Sequence, residues 1–226
     1  MTFNELKTKL GQPDLKETDW HQHSNGGGWV DNQATVEATA FIGPDAFVWA
    51  LYGKPQVFGD AQVFGTTQVS GDAQVSGDAR VSGTAWVSGA AQVFGDAQVF
   101  GDARVSGDAQ VFGDAQVFGD AQVSGDARVS GDARVFGDAR VSGDAWVSGD
   151  AWEKSPLFII GTSYALTNCK RGYVRVGCEC RKFDEWINAD GTLTVEAAAL
   201  AARHSFTPEQ VLEYEAYFQL FKKIGK

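Results

Sequence analysis

Three histidines and three cysteines are the residues of this chain best suited to proton transfer, nucleophilic attack or metal binding. Cys178, Glu179 and Cys180 are adjacent in sequence, and the two thiols could join Cys169 and His204 in a three-Cys, one-His zinc site. The spacing is not the usual CxxC of such sites, and an odd number of cysteines does not complete a disulfide framework. We therefore predict reduced, buried thiols and no metal site.

A repeat organises the elements that must position these residues. From Val57 to Trp152 one hexapeptide, Val-x-Gly-Asp-Ala-x, occurs sixteen times without an insertion. Its Val and Gly never change, and its Ala is replaced once, by Thr67. A helix is a poor host for this pattern, because each Gly costs about 1 kcal/mol there and β-branched Val is unfavourable. The repeat therefore predicts short strands separated by turns.

The repeat also indicates which side chains face inward. Residues two apart in a strand share a face, so the Ala and the following Val point the same way, while the positions beside them vary among Gln, Arg, Trp, Ser and Phe. We place Ala and Val inside and Gly-Asp at the corners, where Gly accepts unusual φ and ψ and Asp caps its own turn. Strands this short bury nothing alone, so the chain must coil and stack on itself.

The residue that follows each Val indicates a three-sided coil in which one turn takes three hexapeptides. When these residues are sorted into three columns, the column from Ser70 to Ser142 contains no Phe. All the Phe residues fall in the other two columns, so they would form rows on two outer faces with about 4.8 Å between coils. The predicted interface residues are Phe58, Phe94, Phe112, Phe64, Phe100, Phe118 and Phe136.

The aliphatic residue at every sixth place, with a small residue two positions before it, resembles the hexapeptide-repeat, left-handed parallel β-helix family. The resemblance covers about half of the chain. It implies an all-β solenoid that is triangular, left-handed and trimeric; a right-handed triangular coil like that of the bactofilins is the structural alternative. Many members are acyltransferases with a catalytic His on or near the coils, and carbonic anhydrases of this fold bind zinc through three His.

Neither activity can be assigned to this chain, because it lacks a His at the positions that the resemblance implies. His21 and His23 precede the coil, His204 follows it, and there is no His between Trp29 and Ala202. We therefore predict a protein that is not an enzyme and needs no cofactor, with an acyltransferase as the less favoured alternative. Ice binding would require ranks of Thr on an outer face, and the outward residues here are Gln, Arg, Ser and Phe.

The chain is acidic, with a net charge of −10, and most of that charge comes from Asp at the predicted corners. One row of corners forms a predicted acidic surface made of Asp60, Asp78, Asp96, Asp114, Asp132 and Asp150. The simplest explanation is that Asp suits corners. The functional alternative is a rod that mimics the charge of DNA or binds cations. An acidic rod does not bind nucleic acid by neutralising phosphates, so we expect no direct nucleic-acid partner.

Three segments are predicted: an N-terminal cap or linker over 1–28, the β-helix over 29–152, and a small α+β C-terminal cap over 153–226 that ends in a helix. Between Val48 and Val57 the repeat slips by three residues, which predicts a bulged corner or small loop where a pocket could open. The charged start and the lack of a long apolar stretch predict a cytoplasmic protein, in the host cytoplasm if phage-encoded, without a membrane partner.

A contiguous apolar stripe usually marks an interface. We therefore expect a structural or assembly protein, a dimer or trimer in contact through its Phe rows or its C-terminal region. In the alternative arrangement, the chain's own last helix covers these rows. Rods of this repeat with such an ending are similar to uncharacterised proteins of phages and prophages. The alternative function is a phage-type inhibitor that binds a host protein through the acidic rod or the C-terminal region.

Overall fold

Most of the chain forms a parallel β-solenoid in which each coil contributes three short strands. A computed structural model gives the positions of residues 1–149, 151–152 and 156–224. The solenoid strands and the one that precedes them are β1 (Trp20–Gln22), β2 (Trp29–Asp31), β3 (Thr35–Val36), β4 (Phe41–Ile42), β5 (Phe47–Trp49), β6 (Gln56–Val57), β7 (Gln62–Val63), β8 (Gln68–Ser70), β9 (Gln74–Val75), β10 (Arg80–Val81), β11 (Trp86–Val87), β12 (Gln92–Phe94), β13 (Gln98–Val99), β14 (Arg104–Val105), β15 (Gln110–Phe112), β16 (Gln116–Val117), β17 (Gln122–Val123), β18 (Arg128–Ser130), β19 (Arg134–Val135), β20 (Arg140–Val141), β21 (Trp146–Ser148) and β22 (Ala151–Trp152).

Successive strands belong to three different sheets, which form the three sides of the coil. Sheet A has the order β1-β2-β5-β8-β11-β14-β17-β20, sheet B the order β21-β18-β15-β12-β9-β6-β3, and sheet C the order β22-β19-β16-β13-β10-β7-β4. Neighbouring strands within the repeat are three hexapeptides apart, as where Val93 pairs with Val111. The amide of Gln92 donates to the carbonyl of Ala109 at 2.8 Å. The predicted triangular parallel solenoid, with three hexapeptides in each coil, is confirmed, whereas its left-handedness stays a prediction.

The interior of the solenoid consists of the Val and Ala side chains of the hexapeptides. Val57, Val99 and Ala109 are among a continuous core of fully buried residues that runs from Val30 to Val147. Thr67, the single replacement for Ala, also lies inside, and its hydroxyl donates to the carbonyl of Phe64 at 3.3 Å. A polar side chain is tolerated there because it has its own hydrogen-bond acceptor.

The corners require glycine for two separate reasons. Gly83 has a φ of +75°, a conformation that side chains with a Cβ rarely adopt. A Cβ at this position would lie 2.8 Å from the amide nitrogen and 2.9 Å from the carbonyl oxygen of Gly101 in the next coil. Because these neighbours are backbone atoms held in the sheets, a side chain at the corner would push two coils apart.

The N-terminal segment covers the start of the solenoid. Helix α1 (Phe3–Leu10) is capped by Thr2, and it is followed by a 3-10 helix at Glu17–Asp19. Its buried residues Phe3 and Leu6 pack with Trp20, Trp29 and Phe47, so the helix lies against the outer side of sheet A. Strand β1 then pairs in antiparallel fashion with β2 and completes the edge of that sheet.

The slip in the repeat forms an exposed loop between β5 and β6. Val30 pairs with Val48, at the regular interval of one coil. Val48 pairs with Val69, so the coil that joins Val48 to Val69 is longer than a regular coil by the three residues of the slip. Tyr52 lies in the loop, with a φ of 59° and 93% of its surface exposed. Val57 then resumes the inward position by pairing with Val36, so the coil continues without a change of register.

The C-terminal unit, residues 156–224, is a small α+β structure. Strands β23 (Phe158–Ile160), β24 (Ala165–Lys170), β25 (Tyr173–Val176) and β26 (Glu179–Lys182) form an antiparallel sheet in chain order. Helices α2 (Phe183–Trp186), α3 (Val195–Arg203) and α4 (Pro208–Ile224) pack against it. No helix among the described residues is long and apolar enough to cross a membrane.

The C-terminal unit closes the other end of the solenoid. Phe158 packs against the solenoid core, where the last coils would otherwise expose apolar side chains. The guanidinium of Arg175 lies 3.7 Å from the ring centre of Trp146, and that of Arg128 lies 5.5 Å from the same ring. Burial lowers the pKa of Arg175 below its ordinary value. The contact is a cation–π interaction that is partly removed from water, where such interactions are strongest.

Two glycine substitutions separate the backbone strain at a corner from the clash between coils. Gly83→Ala introduces both effects, whereas Gly131→Ala introduces strain alone, because Gly131 has a φ of +59° but no described atom within 4 Å of its added Cβ. We expect about 1–2 kcal/mol of destabilisation for Gly131→Ala and clearly more for Gly83→Ala. Urea unfolding followed by circular dichroism measures both; equal losses would contradict the proposed contact between coils.

Candidate functional site on the solenoid surface

The predicted Phe residues lie in two rows on the outer surface, on sheets B and C. Each Phe follows an inward Val, so its side chain points outward near the end of its strand. Phe58, Phe94 and Phe112 lie at the end of sheet B strands, and the other four lie at the end of sheet C strands. The same side chain recurs at the same place in successive coils because the coils are in register.

The Phe rings stack on one another along each row. Phe94 and Phe112 have ring centres 5.0 Å apart and an angle of 1° between their planes. On sheet C, Phe100 and Phe118 are 4.8 Å apart and Phe118 and Phe136 are 5.2 Å apart. Each such stack adds about 0.5–1.5 kcal/mol beyond the area that it buries. The rows therefore stabilise the coils as well as present an apolar surface.

Stacking leaves ring edges, not whole rings, in contact with water. Most of the Phe residues are half-buried, and Phe64 reaches 37% exposure because Ser82 follows it in the row. The apolar surface is thus a narrow stripe of ring edges. Its longest uninterrupted part is the sheet C row of Phe100, Phe118 and Phe136.

The last helix does not serve as a cover for these rows. Helix α4 buries Tyr214, Phe218 and Phe221 in the core of the C-terminal unit, against Leu166 and Val174 of its own sheet. The alternative in which this helix lies along the rod is therefore wrong. Its length would suffice, but its apolar face is already occupied within the C-terminal unit.

The predicted acidic row lies at the corner between sheets B and C. Asp60, Asp78, Asp96, Asp114 and Asp132 are all exposed, one in each successive coil, and Asp150 lies outside the described residues. The preceding glycines have positive φ, so these Asp residues occupy the second position of a tight corner, where their side chains point to solvent. The arrangement places a line of carboxylates along the edge that separates the two Phe-bearing faces.

Pairs of Trp and Arg in adjacent coils are a surface feature that the sequence prediction missed. Arg104 lies 5.4 Å from the ring centre of Trp86 on sheet A, and Arg128 lies in the same way beside Trp146 on sheet B. In both pairs the residues are one coil apart, as the register of the sheets requires. This interval could have identified them, since any two outward residues one coil apart in sequence are neighbours.

The histidines lie at the two ends of the solenoid. Nδ1 of His21 is 2.9 Å from the side-chain oxygen of Asn32, and His23 is buried near the first coil with Nδ1 3.2 Å from the carbonyl of Asn25. His204 lies in the C-terminal unit, with Nδ1 2.9 Å from the hydroxyl of Tyr164. Within one chain these imidazoles cannot converge on a single site.

The cysteines differ from the prediction. Cys169 and Cys180 form a disulfide between β24 and β26, while Cys178 is free and exposed. The expectation of reduced thiols is therefore wrong for Cys169 and Cys180, and the expectation of burial is wrong for Cys178, whereas Cys178 is free and Cys169 is buried as predicted. Among the described residues no group of three His, Cys, Asp or Glu side chains is placed to hold a metal ion. The sequence gives no local signal for the disulfide, because its partners are brought together by the pairing of separate strands.

These observations define the class: a triangular parallel β-solenoid repeat protein with a separate α+β unit at its end. Residues 73–89, 97–113, 121–135 and 133–149 match the model of a family described as the YdcK beta solenoid repeat. No curated protein sequence matches the chain. The comparisons do not test the similarity to phage and prophage proteins, which stays a prediction.

A solved structure is similar to most of the chain. It is a Bacillus cereus protein described as a putative acetyltransferase, with 11% sequence identity, a TM-score of 0.43, and coverage of 89% of this chain and 97% of the other. The prediction that the chain is not an enzyme is corrected by this finding. That prediction was based on the absence of a His within the coils, and this absence does not exclude an enzyme. At this TM-score the likeness supports no particular activity.

The stacking of the Phe rings can be measured through single substitutions to Ser, the residue that the chain itself places at this position in other coils. Phe118→Ser removes stacks with both Phe100 and Phe136, whereas Phe100→Ser removes the stack with Phe118. We expect about 1–3 kcal/mol of lost stability for Phe118→Ser and about half of that for Phe100→Ser. Urea unfolding of both variants tests this ratio, and a loss at Phe100 as large as that at Phe118 would argue against stacking as the cause.

Proposed function

We propose that the chain is a self-assembling β-solenoid protein, in which sheet C of one molecule packs against sheet C of a second copy. The observation that carries the proposal is the uninterrupted row of Phe100, Phe118 and Phe136 on a face that the chain's last helix leaves uncovered. Apolar stripes of this kind are commonly buried by association. Self-association is favoured over a foreign partner because the Phe rings of both copies have the same spacing along the row.

The Phe rows of two copies match each other in spacing. Ring centres along sheet C recur at 4.8 Å and 5.2 Å, and a second copy related by a two-fold axis presents rings at the same intervals. The Phe edges of one copy can then lie between those of the other along the whole row. A two-fold contact of this kind uses the same surface on both molecules and closes at a dimer.

The charges around the row favour the same arrangement. Arg80 and Arg134 are exposed on sheet C, and exposed Asp residues line both of its edges, Asp78, Asp96 and Asp114 on one and Asp102, Asp120 and Asp138 on the other. Two identical acidic rods repel one another unless opposite charges meet at the contact. In a two-fold arrangement the Arg residues of one copy approach an acidic edge of the other, so the contact reduces this repulsion.

A pair of double variants tests the proposal. Light scattering after size exclusion is expected to give the wild-type protein twice the chain mass of 24.2 kDa, and Phe100→Ser plus Phe118→Ser is expected to give the single-chain mass. The reason is that Ser removes the apolar edges that the second copy covers. The matched control is Phe94→Ser plus Phe112→Ser, which makes the same chemical change on sheet B and is expected to leave the dimer intact.

Three results would reject this assembly. They are a wild-type protein with the mass of one chain, a dimer that survives the sheet C double substitution, and a dimer that dissociates equally in the sheet B control. Circular dichroism of each variant shows whether the solenoid is still folded. A change in mass without a change in the spectrum separates loss of the contact from loss of the fold.

A further inference from the structure

The C-terminal unit contains a cavity that is separate from the solenoid surface. It has a volume of about 80 Å³ and lies between α3, α4 and the ends of β25 and β26. Its walls are largely aromatic and aliphatic, and they include Trp186, Phe206, Tyr214, Phe218, Leu193 and Leu200. Small ligand sites are typically concave, mostly apolar and lined by a few polar groups, which is the composition found here.

The aromatic walls are fixed by contacts with one another. Trp186 stacks on Phe218 with ring centres 5.0 Å apart, and Phe206 lies 4.9 Å from Tyr214. The hydroxyl of Tyr214 donates to the carbonyl of Tyr164 at 2.8 Å and accepts from the amide of Ser163 at 3.2 Å. Its hydrogen-bonding capacity is therefore used within the protein, and burial raises its pKa above the ordinary value. Tyr214 contributes an apolar ring face to the cavity.

The polar groups of the cavity lie at its mouth. Tyr164 and His204 form a hydrogen-bonded pair at 2.9 Å, and their rings meet edge to face at 5.5 Å between centres. Glu179 is the carboxylate among the described lining residues, and it is paired with Arg181 at 3.1 Å. An ionised ligand would find no unpaired opposite charge among these lining groups. The cavity therefore suits an uncharged molecule.

We infer that this cavity binds a small uncharged aromatic compound of one ring, with a single hydroxyl directed to the Tyr164–His204 pair. A closed apolar cavity of about 150 Å³ can hold benzene. The cavity here is smaller, at about 80 Å³, but is open to solvent on one side, so part of a ring can extend into the mouth. The flat aromatic walls favour a planar ligand, since offset and edge-to-face ring contacts add to the burial of apolar area.

Fluorobenzene and 4-fluorophenol are suitable probes, because their ¹⁹F signals broaden on binding. The cavity is filled by Ala201→Leu, which adds three carbon atoms to a buried lining residue of α3. The matched control is Ala202→Leu, which makes the same change at an exposed position of the same helix. We expect the wild-type protein and Ala202→Leu to bind both probes, and Ala201→Leu to bind them at least about tenfold more weakly.

The hydroxyl contact is tested by His204→Phe, which keeps a ring but removes its nitrogens. Loss of one hydrogen bond is expected to weaken 4-fluorophenol about threefold to tenfold and to leave fluorobenzene unchanged. A variant that weakens both probes equally would contradict the assigned polar contact. Absence of fluorobenzene binding to the wild-type protein at millimolar concentration, or equal binding to Ala201→Leu, would overturn the site itself.

Cys178 provides an independent readout that does not depend on a variant that might misfold. Its thiol is free, exposed and at the mouth of the cavity, while Cys169 and Cys180 are joined in a disulfide. Iodoacetamide should therefore add a single label to the native protein. Fluorobenzene bound in the cavity is expected to slow this labelling, as followed by mass spectrometry, and a rate that is independent of fluorobenzene would reject the inference.

Discussion

The structure depends on the close stacking of glycine on glycine at the corners of the coil. Each corner glycine of the regular coils has a positive φ, and at corners such as Gly83 an added Cβ would lie within 3.0 Å of the backbone of the next coil. An insertion that stayed within the coil, and did not leave it as a loop, would misalign the corners that follow it. The repeat therefore keeps a constant coil of three hexapeptides, and the one slip, next to Tyr52, occurs where the chain can leave the coil as a loop.

This constraint determines what the outer surface can present. Since equivalent positions in successive coils are hydrogen-bonded neighbours, the sequence read at intervals of one coil is also the order of side chains along a face. The Phe rows, the Trp–Arg pairs and the acidic corner row all follow from that rule. Variation at these positions has little effect on the interior, because Val and Ala alone fill most of it. Surface chemistry can thus change while the rod stays the same.

The same physics explains how far the sequence could predict the structure. The strands, the inward Val and Ala, the three-hexapeptide coil and the position of the Phe rows depend on local and repeated interactions, which a single sequence displays directly. The position of α4 in the C-terminal unit and the Cys169–Cys180 disulfide depend on how non-repeated segments of the chain pack together. No periodic pattern in the sequence predicts how these segments pack. The aromatic cavity was missed for this reason, since Tyr164, Trp186 and Phe206 belong to different parts of the C-terminal unit.

The two parts of the chain are therefore suited to different kinds of recognition. A repeated face offers nearly the same group in every coil, which favours long contacts with a surface of matching period. A small molecule instead needs several different groups around one point, and the repeat cannot supply them without breaking its own pattern. In the C-terminal unit, Tyr164, His204 and the aromatic walls converge on one cavity because that unit is free of the repeat. The proposed association and the proposed small-molecule binding can consequently change independently, the first through outward residues of the coils and the second through the lining of the cavity.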